Sequence, residues 1–157
     1  MPLVLDPDTP ASVLTRTGFD NYPYDLVFSD EFNKPGRTFG PGDDSYWEAA
    51  NLGTTNDKEY YDPAQVTTKQ GGYLSIMMES EPEHGLGWRS GMLQSWNKFC
   101  FTRGYIEVAI SLPGSVEAQG YVRGCFFSPR VLLMALHPVA RCMDDGEPRK
   151  TWVSCYG

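Results

Sequence analysis

Arg89 to Leu112 reads RSGMLQSWNKFCFTRGYIEVAISL, and its alternation decides the fold. In its second half Ile106, Val108, Ile110 and Leu112 fall on one side, while Tyr105, Glu107, Ala109 and Ser111 fall on the other. A period of two with one apolar side predicts a strand with one buried face. In the first half Met92, Gln94 and Trp96 share one face, and Gly91, Leu93 and Ser95 share the opposite one. Trp96 and its neighbours mark their side as a sheet surface meant to be touched, and Asn97-Lys98 supply a turn.

Upstream the same grammar recurs. Gln65 to Thr68, the turn Gln70-Gly71-Gly72 and Tyr73 to Met78 form a predicted hairpin, because β-branched and apolar residues flank a Gly pair. Leu74, Ile76 and Met78 are expected on one face. Asp25 to Phe28 is a short strand, Pro35 to Asp44 a Gly and Pro loop, and Tyr46-Trp47-Glu48 a return to order with Trp47 in the body of the fold.

The run Ser90 to Phe101, then Gly104-Tyr105-Ile106-Glu107-Val108 and Leu112-Pro113-Gly114, resembles glycoside hydrolase family 16. More narrowly it is similar to the fungal β-glucan synthesis-associated proteins of the SKN1/KRE6 type, over roughly Asp6 to Tyr121. The resemblance implies an all-β fold: a jelly-roll β-sandwich of two antiparallel sheets, with a glucan-binding cleft on the concave face. Such sandwiches commonly need about 200 to 250 residues. A chain of 157 residues therefore implies a partial jelly roll, truncated after the first half of the catalytic domain. The expected organisation is a lead-in loop over 1–24, the N-terminal part of the sandwich over 25–121, and an unrelated, poorly structured tail over 122–157. The tail has the character of unselected sequence, as a read-through intron would add.

The family continues past this point with a Trp-Pro-x-Phe-Trp segment and a Glu-Ile-Asp-x-x-Glu strand, which bears the nucleophile and the general acid/base. Here Gly120-Tyr121 runs into Val122-Arg123-Gly124-Cys125-Phe126-Phe127, and no Glu-x-Asp-x-x-Glu occurs in the sequence. Retaining hydrolysis needs two carboxyl groups about 5 to 5.5 Å apart, so no catalytic residue is assigned. Asp30 and Glu31 are adjacent and point to opposite faces of an extended chain. Glu79, Glu81 and Glu83 imitate a catalytic spacing, but Pro82 breaks a ladder and no apolar shell raises a pKa, so they read as a solvated loop. His84 has no nucleophile or metal partner in the sequence.

The resemblance implies four substrate-binding residues: Asn56, Trp88, Arg89 and Trp96. Asn56 matches the family's asparagine at the edge of the cleft, and Trp88 beside Arg89 could stack on and hydrogen-bond a glucan. Plainer roles stand beside these: a turn former for Asn56, surface packing for Trp88 and Arg89.

Composition agrees with a soluble globular chain, at 41% hydrophobic and 13% aromatic residues and a mean hydropathy of -0.39. A net charge of -7 argues against nucleic acid and permits a neutral sugar partner, here a β-glucan. No apolar run reaches the roughly 18 residues of a membrane span, and Met1 to Asp6 lack the features of a signal peptide. Family members resemble type II membrane proteins of the secretory pathway and cell wall, so localisation stays open. Cys100, Cys125, Cys142 and Cys155 lack paired metal spacing and read as free thiols; no metal or other cofactor is expected. Three functions follow: a truncated, catalytically incompetent family member, a glucan-binding module, or a product that does not fold.

Overall fold

The computed structural model describes residues 5–53, 58–99 and 105–111, together with the backbone of 122–128, 131–137 and 155–156. The described residues are strands, turns and two single 3-10 turns, at Ala11–Val13 and Pro63–Gln65. In chain order the strands are β1 Thr15–Thr17, β2 Pro23–Phe28, β3 Glu48–Ala49, β4 Glu59–Tyr61, β5 Val66–Lys69, β6 Tyr73–Ile76, β7 Trp88–Ser90, β8 Met92–Gln94, β9 Tyr105–Ile106, β10 Val122–Ser128, β11 Val131–His137 and β12 Cys155–Tyr156. They divide between two compact units.

The first unit holds the described residues up to 31, 105–111 and 155–156. Its sheet has the order β1-β2-β12-β9, with antiparallel neighbours. β2 alternates as its sequence demands: Leu26 and Phe28 are buried, Asp25 and Val27 exposed. The β1–β2 turn closes with the Gly18 N–H donating to Tyr22 O at 2.9 Å, and Asn21 takes a φ of 63. The segment expected as a lead-in loop thus contains β1 and the start of β2. Thr9 is pinned too, because its Oγ1 lies 2.7 Å from Ser29 Oγ and donates to Glu31 Oε1 at 3.0 Å. Glu31 is thereby occupied structurally. β9 is shorter than the alternation of Tyr105 to Leu112 predicts: two residues are paired, and Tyr105 and Glu107 are half-buried like Ile106 and Val108.

The second unit holds the described residues from 32 to 99 with β10 and β11. Its core is Phe39, Trp47, Ala49, Ala50, Tyr61, Val66 and Leu93. Trp47 is 2% exposed, as its expected place in the body requires. Its ring lies 5.9 Å from that of Phe32. The β5–β6 hairpin forms with the expected turn, Lys69 opposite Tyr73, and Gly71 and Gly72 take φ of 103 and 73. Such angles suit glycine because it has no Cβ. β6 ends at Ile76, short of Met78. A parallel pair joins β4 to β7, and a four-stranded antiparallel sheet runs β10-β11-β8-β3.

Within the stretch expected to be poorly structured, β10 and β11 pair from Val122 opposite His137 to Ser128 opposite Val131. β11 then pairs with β8, Met134 opposite Leu93. The apolar residues Val131 to Leu136 thus form a strand, and it covers what would otherwise be an edge of unpaired backbone groups on β8. Residues 138–154 lie outside the described residues, as do Cys100 and Cys142.

Candidate functional site

β7, Gly91 and β8 follow one another without a loop, so the quoted stretch feeds two sheets in succession. Gly91 makes this passage possible. A Cβ there would sit 2.7 Å from Val66 Cγ2 and 2.9 Å from Ile76 Cγ2. β7 thus pairs with β4, Trp88 opposite Glu59 and Arg89 opposite Tyr60, while β8 pairs with β3 and β11.

Along β8 and the turn that follows it, burial separates as the residue types predict. Leu93 is 0% exposed and Ser95 1%, whereas Trp96 is 67% exposed. Trp96 is held at the end of the strand by a tight turn. The Lys98 and Phe99 N–H groups donate to Ser95 O at 3.0 and 3.1 Å, and Asn97 adopts a φ of 59. Lys98 is anchored in turn, donating from Nζ to Asp44 O at 2.7 Å and lying 3.4 Å from Glu48 Oε2. Because Glu48 pairs with Gln94 across β3–β8, its side chain shares the face of Met92 and Gln94. The Gln94 amide and the Glu48 carboxylate therefore stand side by side on the β3–β8 pair, and the exposed Trp96 indole follows in the turn two residues beyond. Glu48 is the member missed in the sequence; only the cross-strand register reveals it.

Arg89 sits among carboxylates of its own chain. Its Nη2 lies 2.9 Å from Glu79 Oε2 and 2.6 Å from Glu81 Oε2, its Nη1 3.7 Å from Asp62 Oδ2, and its Nε 3.9 Å from Glu83 Oε2. The guanidinium is thus committed to carboxylates of its own chain. Hydrogen bonds from Arg89 and then Gln65 hold the Glu79 carboxyl below its usual pKa, and Glu79 raises that of Arg89 further. Glu79 and Glu81 are exposed, as a solvated segment requires, and Arg89 draws their carboxylates together. They line one side of an arm that leaves at Glu79, turns at His84-Gly85 with φ of 49 and 81, and returns through bridges Glu83–Leu86 and Glu79–Arg89. Their period-two spacing is the signal for this cluster. The Tyr60 ring lies 4.2 Å from that of His84, which gives the histidine a packing role at the tip. Tyr60 also donates its hydroxyl proton to Asn51 Oδ1 at 2.9 Å.

Trp88 is half-buried on the parallel pair, and Trp96 lies in the turn that follows β8 of the four-stranded sheet. Asn56 falls in 54–57, outside the described residues. A depression of about 310 Å³, lined by Lys34, Arg37, Asp43 and Asp44 among others, contains none of the four expected residues. There the Arg37–Asp44 ion pair closes at 2.7 Å. Burial raises the pKa of Asp44, but the Arg37 hydrogen bond and the N–H groups of Tyr46 and Trp47 outweigh it, leaving the carboxyl below its ordinary value. Among the described residues no group of three or more His, Cys, Asp or Glu is arranged to hold a metal ion, and no helix is long and apolar enough to cross a membrane.

Residues 1–128 match the family model described as beta-glucan synthesis-associated protein SKN1/KRE6/Sbg1. The match runs beyond the stretch Asp6 to Tyr121 at both ends. Over 119 residues the chain is 48% identical to beta-glucan synthesis-associated protein KRE6 of Saccharomyces cerevisiae, covering 74% of this chain and 16% of that protein. It is 50% identical over 119 residues to SKN1 of the same yeast, covering 74% and 15%. The chain thus spans about a sixth of the length of these curated relatives. Among solved structures, the laminarinase from Rhodothermus marinus superposes with a TM-score of 0.51 at 25% identity, covering 62% of this chain and 38% of that one. The fold is accordingly all-β, a partial jelly roll of the family 16 type.

Proposed function

Because the chain belongs to the fungal β-glucan synthesis-associated SKN1/KRE6/Sbg1 family, we propose that these residues form part of a glucan-gripping sandwich that binds β-glucan on the surface of Met92, Gln94 and Trp96 and cleaves no glycosidic bond by itself. The carrying observation is the exposure of Trp96 in the turn that follows β8, 67% against 0% for Leu93 within the strand. A sugar ring laid on the indole puts its C–H face against the π surface. Its hydroxyls, at the edge, can accept from the Gln94 amide and donate to the Glu48 carboxylate. Stacking of this kind contributes about 1 to 3 kcal/mol per ring by analogy with nucleic-acid bases.

Within this proposal Trp88 and Asn56 extend the surface, and Arg89 acts as a positioning residue that fixes the β7 strand carrying Trp88. Hydrolysis requires a nucleophile and a separate acid/base. The Glu-x-Asp-x-x-Glu motif that supplies them in the family is not among these residues, which supports binding without turnover. The cellular setting we propose is β-glucan assembly or remodelling at the cell wall, reached through the secretory-pathway membranes.

Two measurements on the same sample test this. Retention on immobilised β-1,3- and β-1,6-glucan is expected for the wild type and weakened by Trp96→Ala. Reducing-sugar release is expected to stay at the blank. Wild-type flow-through on both matrices would end the binding reading, and sugar release by protein free of contaminating enzyme would end the non-catalytic one.

A further inference from the structure

Phe19 is 96% exposed and Tyr22 69% exposed, both in the turn between β1 and β2. A single exposed ring needs no explanation, but exposed rings grouped on one turn mark a surface for a ligand or partner. The turn is nevertheless well fixed. Gly18 N–H donates to Tyr22 O at 2.9 Å, Asn21 N–H donates to Gly18 O at 3.0 Å, and Tyr22 N–H donates to Asp20 Oδ1 at 3.1 Å. Gly18 permits the arrangement, since a Cβ would lie 2.5 Å from Tyr24 Cε2. Phe19 is thus presented by a braced turn.

The rings continue onto the sheet. The centroid of Phe19 lies 5.8 Å from that of Tyr105 on β9, and that of Tyr105 lies 6.1 Å from that of Tyr24 on β2. Beside this row sits Asp20, whose Oδ2 accepts from the Tyr24 hydroxyl at 2.6 Å. The surface therefore offers flat apolar faces with a carboxylate acceptor at their margin. A phosphate-bearing ligand is disfavoured by that carboxylate and by the net charge of -7. A neutral polyol fits: its C–H faces cover the rings, and its hydroxyls donate to the carboxylate.

We infer that the β1–β2 turn is a second carbohydrate-binding site, taking a segment of a neutral β-linked glucose polymer across Phe19, Tyr105 and Tyr22. Its residues belong to the first compact unit, whereas Trp88, Arg89 and Trp96 belong to the second. The choice of glucose polymer rests on the glucan-binding reading above; the existence of the platform does not.

The test is affinity electrophoresis of the full chain in gels containing laminarin, a soluble β-1,3-glucan, or pustulan, a β-1,6-glucan. Phe19→Ala/Tyr22→Ala is expected to weaken retention about tenfold, the loss of roughly one good stacking contact. Phe19→Tyr/Tyr22→Phe should retain it, because flat rings remain. Both residues are exposed, so melting curves should match the wild type. Wild-type retention by the alanine pair overturns the second site, whatever Trp96→Ala does. Full retention by Trp96→Ala with loss in the alanine pair sinks the Trp96 reading and keeps the second site. Absence of wild-type retention in both gels sinks both. If the alanine pair instead abolishes self-association in sedimentation, or binding to neutral phosphatidylcholine vesicles, with glucan retention unchanged, the turn serves a protein or lipid partner and the inference is overturned.

Discussion

Arg89 and Glu79 are joined at both backbone and side chain. Each backbone N–H donates to the other's carbonyl, at 2.8 and 3.0 Å, and Arg89 Nη2 lies 2.9 Å from Glu79 Oε2. Removing the guanidinium leaves Asp62, Glu79, Glu81 and Glu83 around one spot with no cation between them. Arg89→Met is therefore expected to lower the melting temperature clearly, and Glu79→Gln less. The double variant should cost less than the sum, because residues in one charge network couple. Strict additivity in a double-mutant cycle would show that the arm is held by its backbone bridges alone.

Glu79 and Asp44 bear on the acid limit of the fold. The folded pKa values of Glu79 and Asp44 lie below their ordinary values. A depressed folded pKa contributes stability that is present above the unfolded value, about 4.3 for Glu and about 3.9 for Asp, and lost as pH falls through the folded one. Urea unfolding midpoints should thus be flat above about pH 5 and fall below about pH 4. Glu79→Gln is expected to shallow that fall. A midpoint that instead rises on acidification would reverse the sign argued for both groups.

Trp47 and Trp96 separate stability from binding. Trp47→Ala empties a buried, ring-lined site and is expected to cost about 3 to 5 kcal/mol. Trp96→Ala removes an exposed ring and should stay within about 0.5 kcal/mol, while glucan retention falls. Chemical denaturation measures the first and retention the second. Equal stability losses would show that Trp96 is packed and that its face is not a surface.

Much of the fold was legible in the sequence because alternation and turn chemistry are local. The burial of Leu93, the exposure of Trp96, the Gly71-Gly72 turn and the core place of Trp47 all follow from residue type and spacing. The site was legible only in part. Arg89 beside Trp88 has the composition of a sugar clamp, yet its partners Glu79 and Glu81 lie ten and eight residues earlier and meet it only when the arm folds back. Glu48 joins Gln94 through cross-strand register, which no local pattern encodes. The exposed Phe19 looked like part of a loop because its neighbours Gly18, Asp20 and Asn21 are turn formers.

Gly91 carries the last prediction. It sits where β7 passes into β8, and its absent side chain is what lets the strand lie on the β5–β6 hairpin. An added Cβ would meet Val66 Cγ2 at 2.7 Å, Ile76 Cγ2 at 2.9 Å and Gln65 O at 3.2 Å. Val66 is itself buried at 2% exposure, so it cannot swing aside, and β-branched side chains have few rotamers to offer. Gly91→Ala is expected to destabilise by about 1 to 3 kcal/mol through overpacking, outweighing the few tenths gained by restricting the unfolded chain. Val66→Ala should then restore part of the loss in the Gly91→Ala background while costing stability on its own. If the two losses simply add, the methyl groups of Val66 are not what Gly91 makes room for.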